Sequence, residues 1–286
     1  MSTEYIHFTA EQKKAARQTD LVALLQSQGE RLKRSGKEYV WRDGSEKVTV
    51  RGNLWFHQYE RIGGDAVDFV RRFYNMDFPQ AVNFLLGNNG GALSQAEPVK
   101  REPPKPFTLP PKNDNMRRVY AYLLNRRGID REVLSAFVHK GMIYESADYH
   151  NAVFVGYDEH GIARHAHKRG TGSESTYKGN AENCDPRYSF HWTGTDNTLY
   201  LFEAPIDMLS FISLHKENWR RHSYAAACCV GDQVLFQMLK ANPNIDTVCL
   251  CMDNDTAGQA ANKRISDKLF IQGIKHEILV PEFKDW

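Results

Sequence analysis

Four short apolar runs, LYLFE, SYAAACCV, TVCLCMD and HEILV, follow one another between residues 198 and 280, separated by stretches with helical spacing. Strands that read apolar on both faces must be covered on both. The intervening helices supply that cover, which commits this part of the chain to a four-stranded parallel sheet in an α/β domain. In such sheets ligands collect beyond the carboxyl ends of the strands. Acids stand at those ends. Glu203 closes the first run, with Asp207 in the first turn of the helix after it; Asp253 and Asp255 close the third; Asp285 lies just past the fourth, in PEFKDW.

In VCLCMDNDTAG, residues 248–258, nothing adjacent neutralises Asp253 and Asp255. Like charges that close repel, and burial sharpens the repulsion. Two explanations stand. Asp ahead of TAGQAANKR is a good helix N-cap, and capping alone accounts for an isolated Asp-x-Asp. Alternatively, if strands 198–203 and 247–253 are neighbours, Glu203 and Asp253 meet at one rim. The carboxylates then form an oxygen-rich site suited to Mg²⁺ or Mn²⁺, which hold phosphate oxygens in phosphoryl or nucleotidyl transfer.

Upstream, residues 87–115 (GNNGGALSQAEPVKREPPKPFTLPPKNDN) are rich in Pro, Gly and charge and cannot bury enough surface to fold alone. They predict a linker over 88–112 between an N-terminal module, 1–87, and the rest, which divides at 113–195 and 196–286. The module reads as α+β: a helix from Asp20, strands EYVWR, KVTVRG and LWFHQ with turns at Asp43-Gly44 and Gly52-Asn53, then helices begun by Asp65 and carrying Pro79. Its expected core is Tyr39, Trp41, Leu54, Trp55, Phe56, Phe69 and Phe73. RLKRSGK reads as a solvated charge run that could also meet single-stranded DNA. Beyond the linker come two helices broken at Gly128 and a hairpin turning at Asp158–Gly161. On that hairpin His165 and His167 share one face, read as a surface face.

Lys plus Arg number 37 against 35 acids, so no bulk charge announces nucleic acid and any basic footprint must be local. No apolar run approaches the ~18 residues of a membrane-spanning helix. The five cysteines, Cys184, Cys228, Cys229, Cys249 and Cys251, form no CxxC pair and read as reduced, mostly buried thiols of a cytoplasmic protein.

FEAPID and MDNDTAG together resemble the Toprim domain of bacterial primases, topoisomerases and some nucleases. The resemblance implies that Glu203, Asp253 and Asp255 are catalytic and metal-holding, with Asp207 and Asp285 in support and Mg²⁺ or Mn²⁺ as the ion. Ala204 stands where that family usually has Gly, a change expected to alter the turn and not the carboxylate. YLLNRRGIDREVLSAFVHKGMIY, the hairpin and STYKGN resemble the start of the bacterial primase polymerase core. On that comparison Arg127, Lys168, Arg169 and Lys178 line a groove for nucleotide or DNA phosphates; taken singly, each also fits a solvated surface cation. GGDAVDFVRRFYNMDFPQAVNFLL resembles the primase zinc-ribbon module in a degenerate form. Residues 1–183 contain no cysteine and His57 alone cannot hold zinc, so no zinc is expected.

The whole is similar to compact Toprim primase-like proteins of plasmids and mobile elements, in a short or truncated form ending at Trp286. It implies primer synthesis on single-stranded DNA from nucleoside triphosphates, with a helicase or relaxase as candidate partner. A Toprim nuclease and a non-catalytic DNA-binding replication factor are the alternatives.

Overall fold

Asp20, Asp65 and Asp77 each begin a helix for the same reason: a carboxylate oxygen accepts backbone N–H groups that the first turn leaves without partners. These caps punctuate the first part of the chain in a computed structural model that describes residues 8–43, 46–58, 60, 62–87, 106–228 and 231–286. The chain divides into two compact units, Met1–Pro103 and Pro104–Trp286.

In the first unit the order is α1 (Ala10–Arg17), α2 (Leu21–Ser27), β1 (Lys33–Ser35), β2 (Glu38–Asp43), β3 (Glu46–Arg51), β4 (Leu54–His57), β5 (Gly63–Gly64), α3 (Ala66–Phe73) and α4 (Phe78–Leu85). The strands form an antiparallel sheet in sequence order. Trp41 and Trp55 are buried under α3 against its own buried Phe69, and each lies 5.2 Å from the Phe73 ring. Leu54 is only half-buried and Phe56 is exposed, because alternation along β4 turns them from the face that Trp55 occupies; Tyr39 shares the face of Trp41 but is also only half-buried. Two elements were illegible as polar sequence. The helix α1 is carried by a Thr9–Gln12 capping box, and β1, inside the charge run RLKRSGK, pairs with β2 while remaining exposed. Gly44 of the expected Asp43-Gly44 turn lies outside the described residues, as do residues 88–105 of the expected linker and Cys229.

The second unit opens with α5 (Arg117–Tyr120), which widens into a π turn at Ala121–Arg126 and stops at Gly128, φ 66°. Then follow α6 (Arg131–His139), β6 (Ile143–Glu145), β7 (Ala152–Tyr157), β8 (Ala163–Arg169) and β9 (Lys178–Asn180). These four strands make an antiparallel sheet in the order β6-β7-β8-β9. Asp158 accepts from the N–H groups of His160 and Ile162 and closes the β7–β8 turn. The surface reading of His165 and His167 is corrected: both are buried. Period two shows that they share a face but not that both faces of this sheet are covered. Phe154 and Phe190 pack in the core on one side, and Val153, Val155 and Ala166 form another on the opposite side.

The remaining elements are β10 (His191–Trp192), β11 (Thr198–Phe202), α7 (Pro205–Leu214), β12 (Ser223–Ala226), α8 (Gln233–Ala241), β13 (Thr247–Cys251), α9 (Thr256–Ile271) and β14 (Lys275–Ile278). The sheet order is β10-β12-β11-β13-β14. The four expected strands are parallel, and the two-residue β10 adds a fifth, antiparallel to β12. Strands β11 and β13 are neighbours, with Phe202 opposite Cys251. Glu203 and Asp253 therefore leave the same rim. Cys228, Cys249 and Cys251 are buried and Cys184 half-buried. No helix among the described residues is long and apolar enough to cross a membrane.

Candidate active site

A cavity of about 230 Å³ opens at that rim. Glu203, Asp207, Asp253 and Asp285 line it together with Arg127, Arg169, Lys178 and Lys284. The acids come from the β11 and β13 ends, the first turn of α7 and the C-terminal segment. The first three cations come from the π turn and the β8–β9 edge. Asn254 fixes the C-terminal segment, its N–H donating to the Lys284 carbonyl at 2.8 Å. The Trp286 indole donates to the Cys251 carbonyl at 2.9 Å and packs on Phe202 and Phe211.

The acids differ sharply in how they are satisfied. Asp255 does cap α9: Oδ1 accepts from the N–H groups of Ala257 and Gly258, and Oδ2 lies 3.5 Å from Lys284 Nζ. The Gly258 N–H above all, with Lys284 beside it, holds this carboxyl below the usual range. Lys284 is thus the neutralising group that the sequence around Asp253 and Asp255 lacks. Asp253 is the opposite case. Its Oδ1 is buried without a hydrogen-bond partner. Burial first, then Asp207, Glu203, Asp285 and Asp255, push its carboxyl up to about 7. Asp207, which accepts from the Ala204 N–H at 3.1 Å, is pushed up to about 6 by burial, then by Asp285 and Glu203. Glu203 is also raised, chiefly by burial.

Backbone geometry explains why the carboxylates stand where they do. Ala204 has φ −131° and ψ 159°, extended values open to any residue, so the backbone after Glu203 has no need of a glycine, and Pro205 starts α7. Gly258 seats α9 against the strand end: a Cβ there would lie 2.0 Å from the Asp253 carbonyl oxygen.

The basic side is organised by Tyr122, the first residue of YLLNRRGID, to which the sequence reading gave no role. Its hydroxyl accepts from Arg127 Nε at 3.0 Å and from Arg169 Nε at 3.2 Å. Burial raises its phenol, but those two guanidinium bonds outweigh it and leave the group below its ordinary value. His167 also lines the cavity. Its Nδ1 meets Asn180 Oδ1 at 2.7 Å; an amide oxygen only accepts, so Nδ1 carries the proton. The four cations assigned to one groove do not share one. Arg127, Arg169 and Lys178 face the acids, whereas Lys168, one residue from Arg169 on β8, points to the other side of the sheet and lines a different cavity.

Among the described residues, no three His, Cys, Asp or Glu side chains are already gathered as a metal shell. The donor chemistry nevertheless fits a hard divalent cation. Every acid offers oxygen, the Asp253 Oδ1 has no partner, and the mutual repulsion is of the kind that a cation relieves.

Residues 200–286 match the family model described as Toprim-like. The C-terminal domain is Toprim-like. Residues 121–196 match a family described as protein of unknown function (DUF3991). An uncharacterized protein of Bacillus anthracis, pXO2-78, is 27% identical over 232 residues, which span 76% of this chain and 67% of that protein. Three solved structures are similar to the chain. The Aquifex aeolicus primase (zinc binding and RNA polymerase domains) is 15% identical, with a TM-score of 0.40 over 96% of this chain and 80% of that one. The primase fragment of the bacteriophage T7 primase-helicase is 18% identical, with 0.43 over 57% and 66%. The E. coli primase catalytic core is 16% identical, with 0.41 over 59% and 66%. At identities this low no residue role passes from those enzymes to this chain. Within the Toprim-like domain the acids therefore stand on their own geometry. The sequence missed Tyr122, His167, Gly258 and Lys284. Only Lys284 had a legible signal, its place beside Asp285.

Proposed function

We propose that the chain is a primase-like nucleotidyltransferase that binds single-stranded DNA and joins nucleotides into primers in plasmid or mobile-element replication or transfer. One observation carries this reading: a single cavity sets four carboxylates of the Toprim-like rim against four cations. A nuclease needs the same acids. The ring of cations opposite them suits a substrate that brings several phosphates at once, as a nucleoside triphosphate on a primer end does.

Glu203 and Asp253 would hold Mg²⁺ or Mn²⁺, with Asp207 and Asp285 in support, while Asp255, taken up by the α9 cap and Lys284 and outside the cavity lining, would stand beside them; the bound ion would polarise triphosphate oxygens and the primer 3′ hydroxyl. The chain's own groups do the rest. Arg127 and Arg169, held by Tyr122, present guanidiniums to the phosphates, and Lys178 and Lys284 add point charges. His167 is neutral near pH 7, since burial lowers it to about 4, so it contributes a packed wall and no charge.

The test is primer synthesis on single-stranded DNA with nucleoside triphosphates and Mg²⁺ or Mn²⁺. The expected result is product from the wild-type chain and a loss of roughly a hundredfold or more in Asp253→Ala, beyond what changes outside a metal's own ligands cost. Full activity in that variant rejects the site. Cleavage of DNA with Mn²⁺ and no nucleotides, without synthesis, replaces the reading by a nuclease. DNA binding with neither activity replaces it by a non-catalytic replication factor.

A further inference from the structure

The cavity that holds Lys168 is the larger of the two, about 550 Å³, within the range of small-molecule and cofactor sites. The acidic site makes no use of it. Two cations, Arg118 and Lys168, and two aromatic rings, Tyr149 and Tyr177, line it together with hydroxyls of Thr171 and Ser175. Tyr149 is 88% exposed and Tyr177 46%, which wastes two large rings unless something covers them. The Lys168 ammonium sits 5.7 Å from the Tyr177 ring centroid.

The loop that presents Tyr149 is strained and pinned. Tyr149 and His150 both have left-handed backbone, φ 59° and 52°, a conformation costly for residues with side chains. Glu145, 1% exposed, anchors the loop by taking the N–H groups of Arg118 and Val119 and by lying 2.7 Å from His150 Nδ1. Thr171 ties the neighbouring loop to it through the His150 carbonyl at 2.7 Å. Strain held this firmly around an outward ring is a built feature of the fold.

The two cavities are joined by consecutive residues. Lys168 lines the second and Arg169 the acidic one; Tyr177 lines the second and Lys178 the acidic one. Strands β8 and β9 are therefore a partition with a cation facing each way. A polymer crossing that edge would touch both sides, whereas a free small ligand in either cavity would not.

We propose that the second cavity holds part of a single-stranded nucleic acid whose reacting end lies at the Toprim-like rim. Tyr149 and Tyr177 stack on its bases, and Lys168 and Arg118 take its phosphates. This deepens the primase-like reading and rests on it for the kind of polymer. Stacking on an aromatic ring is tolerant of base identity, so the track carries little sequence preference.

Fluorescence anisotropy of a short labelled oligothymidylate on the full chain tests this. Tyr149→Ala and Tyr177→Ala should each weaken binding roughly tenfold, and Tyr→Phe at the same positions should restore it, since a phenyl ring still stacks. Lys168→Gln should lower the salt dependence of binding by about one phosphate contact. Thymidine monophosphate should compete poorly. Wild-type affinity in the Tyr149→Ala, Tyr177→Ala double variant overturns the proposal, and so does free monophosphate competing as well as the oligomer, which would make the cavity a nucleotide pocket. Asp253→Asn separates the two readings: it should abolish synthesis and keep oligothymidylate binding sensitive to Tyr177→Ala. Synthesis by the wild type with binding indifferent to both tyrosines sinks the track alone; tyrosine-dependent binding without synthesis sinks the catalytic reading alone.

Discussion

Among the described residues the chain builds two five-stranded sheets, and they treat their acids differently. In the N-terminal unit Asp20, Asp65 and Asp77 are helix caps, each with an oxygen taken by backbone N–H groups. The sheet there is antiparallel, so strand ends alternate between its two edges and no rim collects them. In the Toprim-like domain four strands run the same way, and their carboxyl ends and the following helix starts crowd one rim. Capping absorbs Asp255 and leaves Asp253 with a buried oxygen that has no partner. A parallel sheet thus produces polar groups in excess at one edge, and that excess is what a ligand can use.

If the N-terminal unit is held by its interior alone, the interior is where it breaks. Phe69 is fully buried, 5.2 Å from Trp41 and 4.7 Å from Phe73. Phe69→Ala should cost about 3–5 kcal/mol, the largest effect on stability foreseen for this chain. Urea unfolding followed by tryptophan fluorescence measures it. A loss below about 1 kcal/mol would show that something other than this aromatic cluster holds the unit, and the contrast with the Toprim-like domain would fail on its N-terminal side.

The second unit carries a pH dependence of its own. His167 sits near pKa 4 in the fold against 6.5 in the unfolded chain, because burial penalises the cation. Above pH 6.5 both states are neutral and nothing is lost. Between 6.5 and about 4 only the unfolded chain takes the proton, so stability falls as pH falls and levels off below that window. The loss from this residue is about 3 kcal/mol. His191, also lowered by burial, acts in the same direction, so His167→Gln is needed to isolate one slope. Urea midpoints across this window check it; a wild type and His167→Gln with equal slopes would mean that His167 is reached by water.

How much of this could be read beforehand depended on periodicity. The parallel sheet was legible because its strands are apolar throughout, and the rim acids followed from where those strands stop. Helix starts at Asp20 and Asp65 were legible because a cap is a local device. Elements without apolar pattern, α1 and β1, were invisible: a capping box and a pairing partner hold them up. Within the site, Tyr122 was out of reach because its role depends on Arg169, 47 residues away. The split between Lys168 and Arg169 was implicit in strand alternation, but nothing in the alternation says that both faces of β8 carry a cavity. His165 and His167 were misread for the same reason.

The smallest effect is the sharpest test of the contrast, because it sets two acids of one motif against each other. Asp255 accepts two N–H groups at the start of α9, so Asp255→Ala should destabilise the metal-free chain by about 1 kcal/mol, the usual cost of losing a cap. Asp253 accepts nothing at Oδ1 and is repelled by its neighbours. In mildly alkaline, metal-free buffer, where its carboxyl is ionised, Asp253→Asn should stabilise by on the order of 1–2 kcal/mol once solvent screening of a half-buried group is allowed for. Opposite signs in thermal unfolding of the two variants would establish that one Asp serves the fold and the other opposes it. Destabilisation by both, to the same degree, would make each a cap. The excess negative charge at the rim would then have no free carboxylate behind it, and the parallel sheet would be no different from the antiparallel one in how it settles its acids.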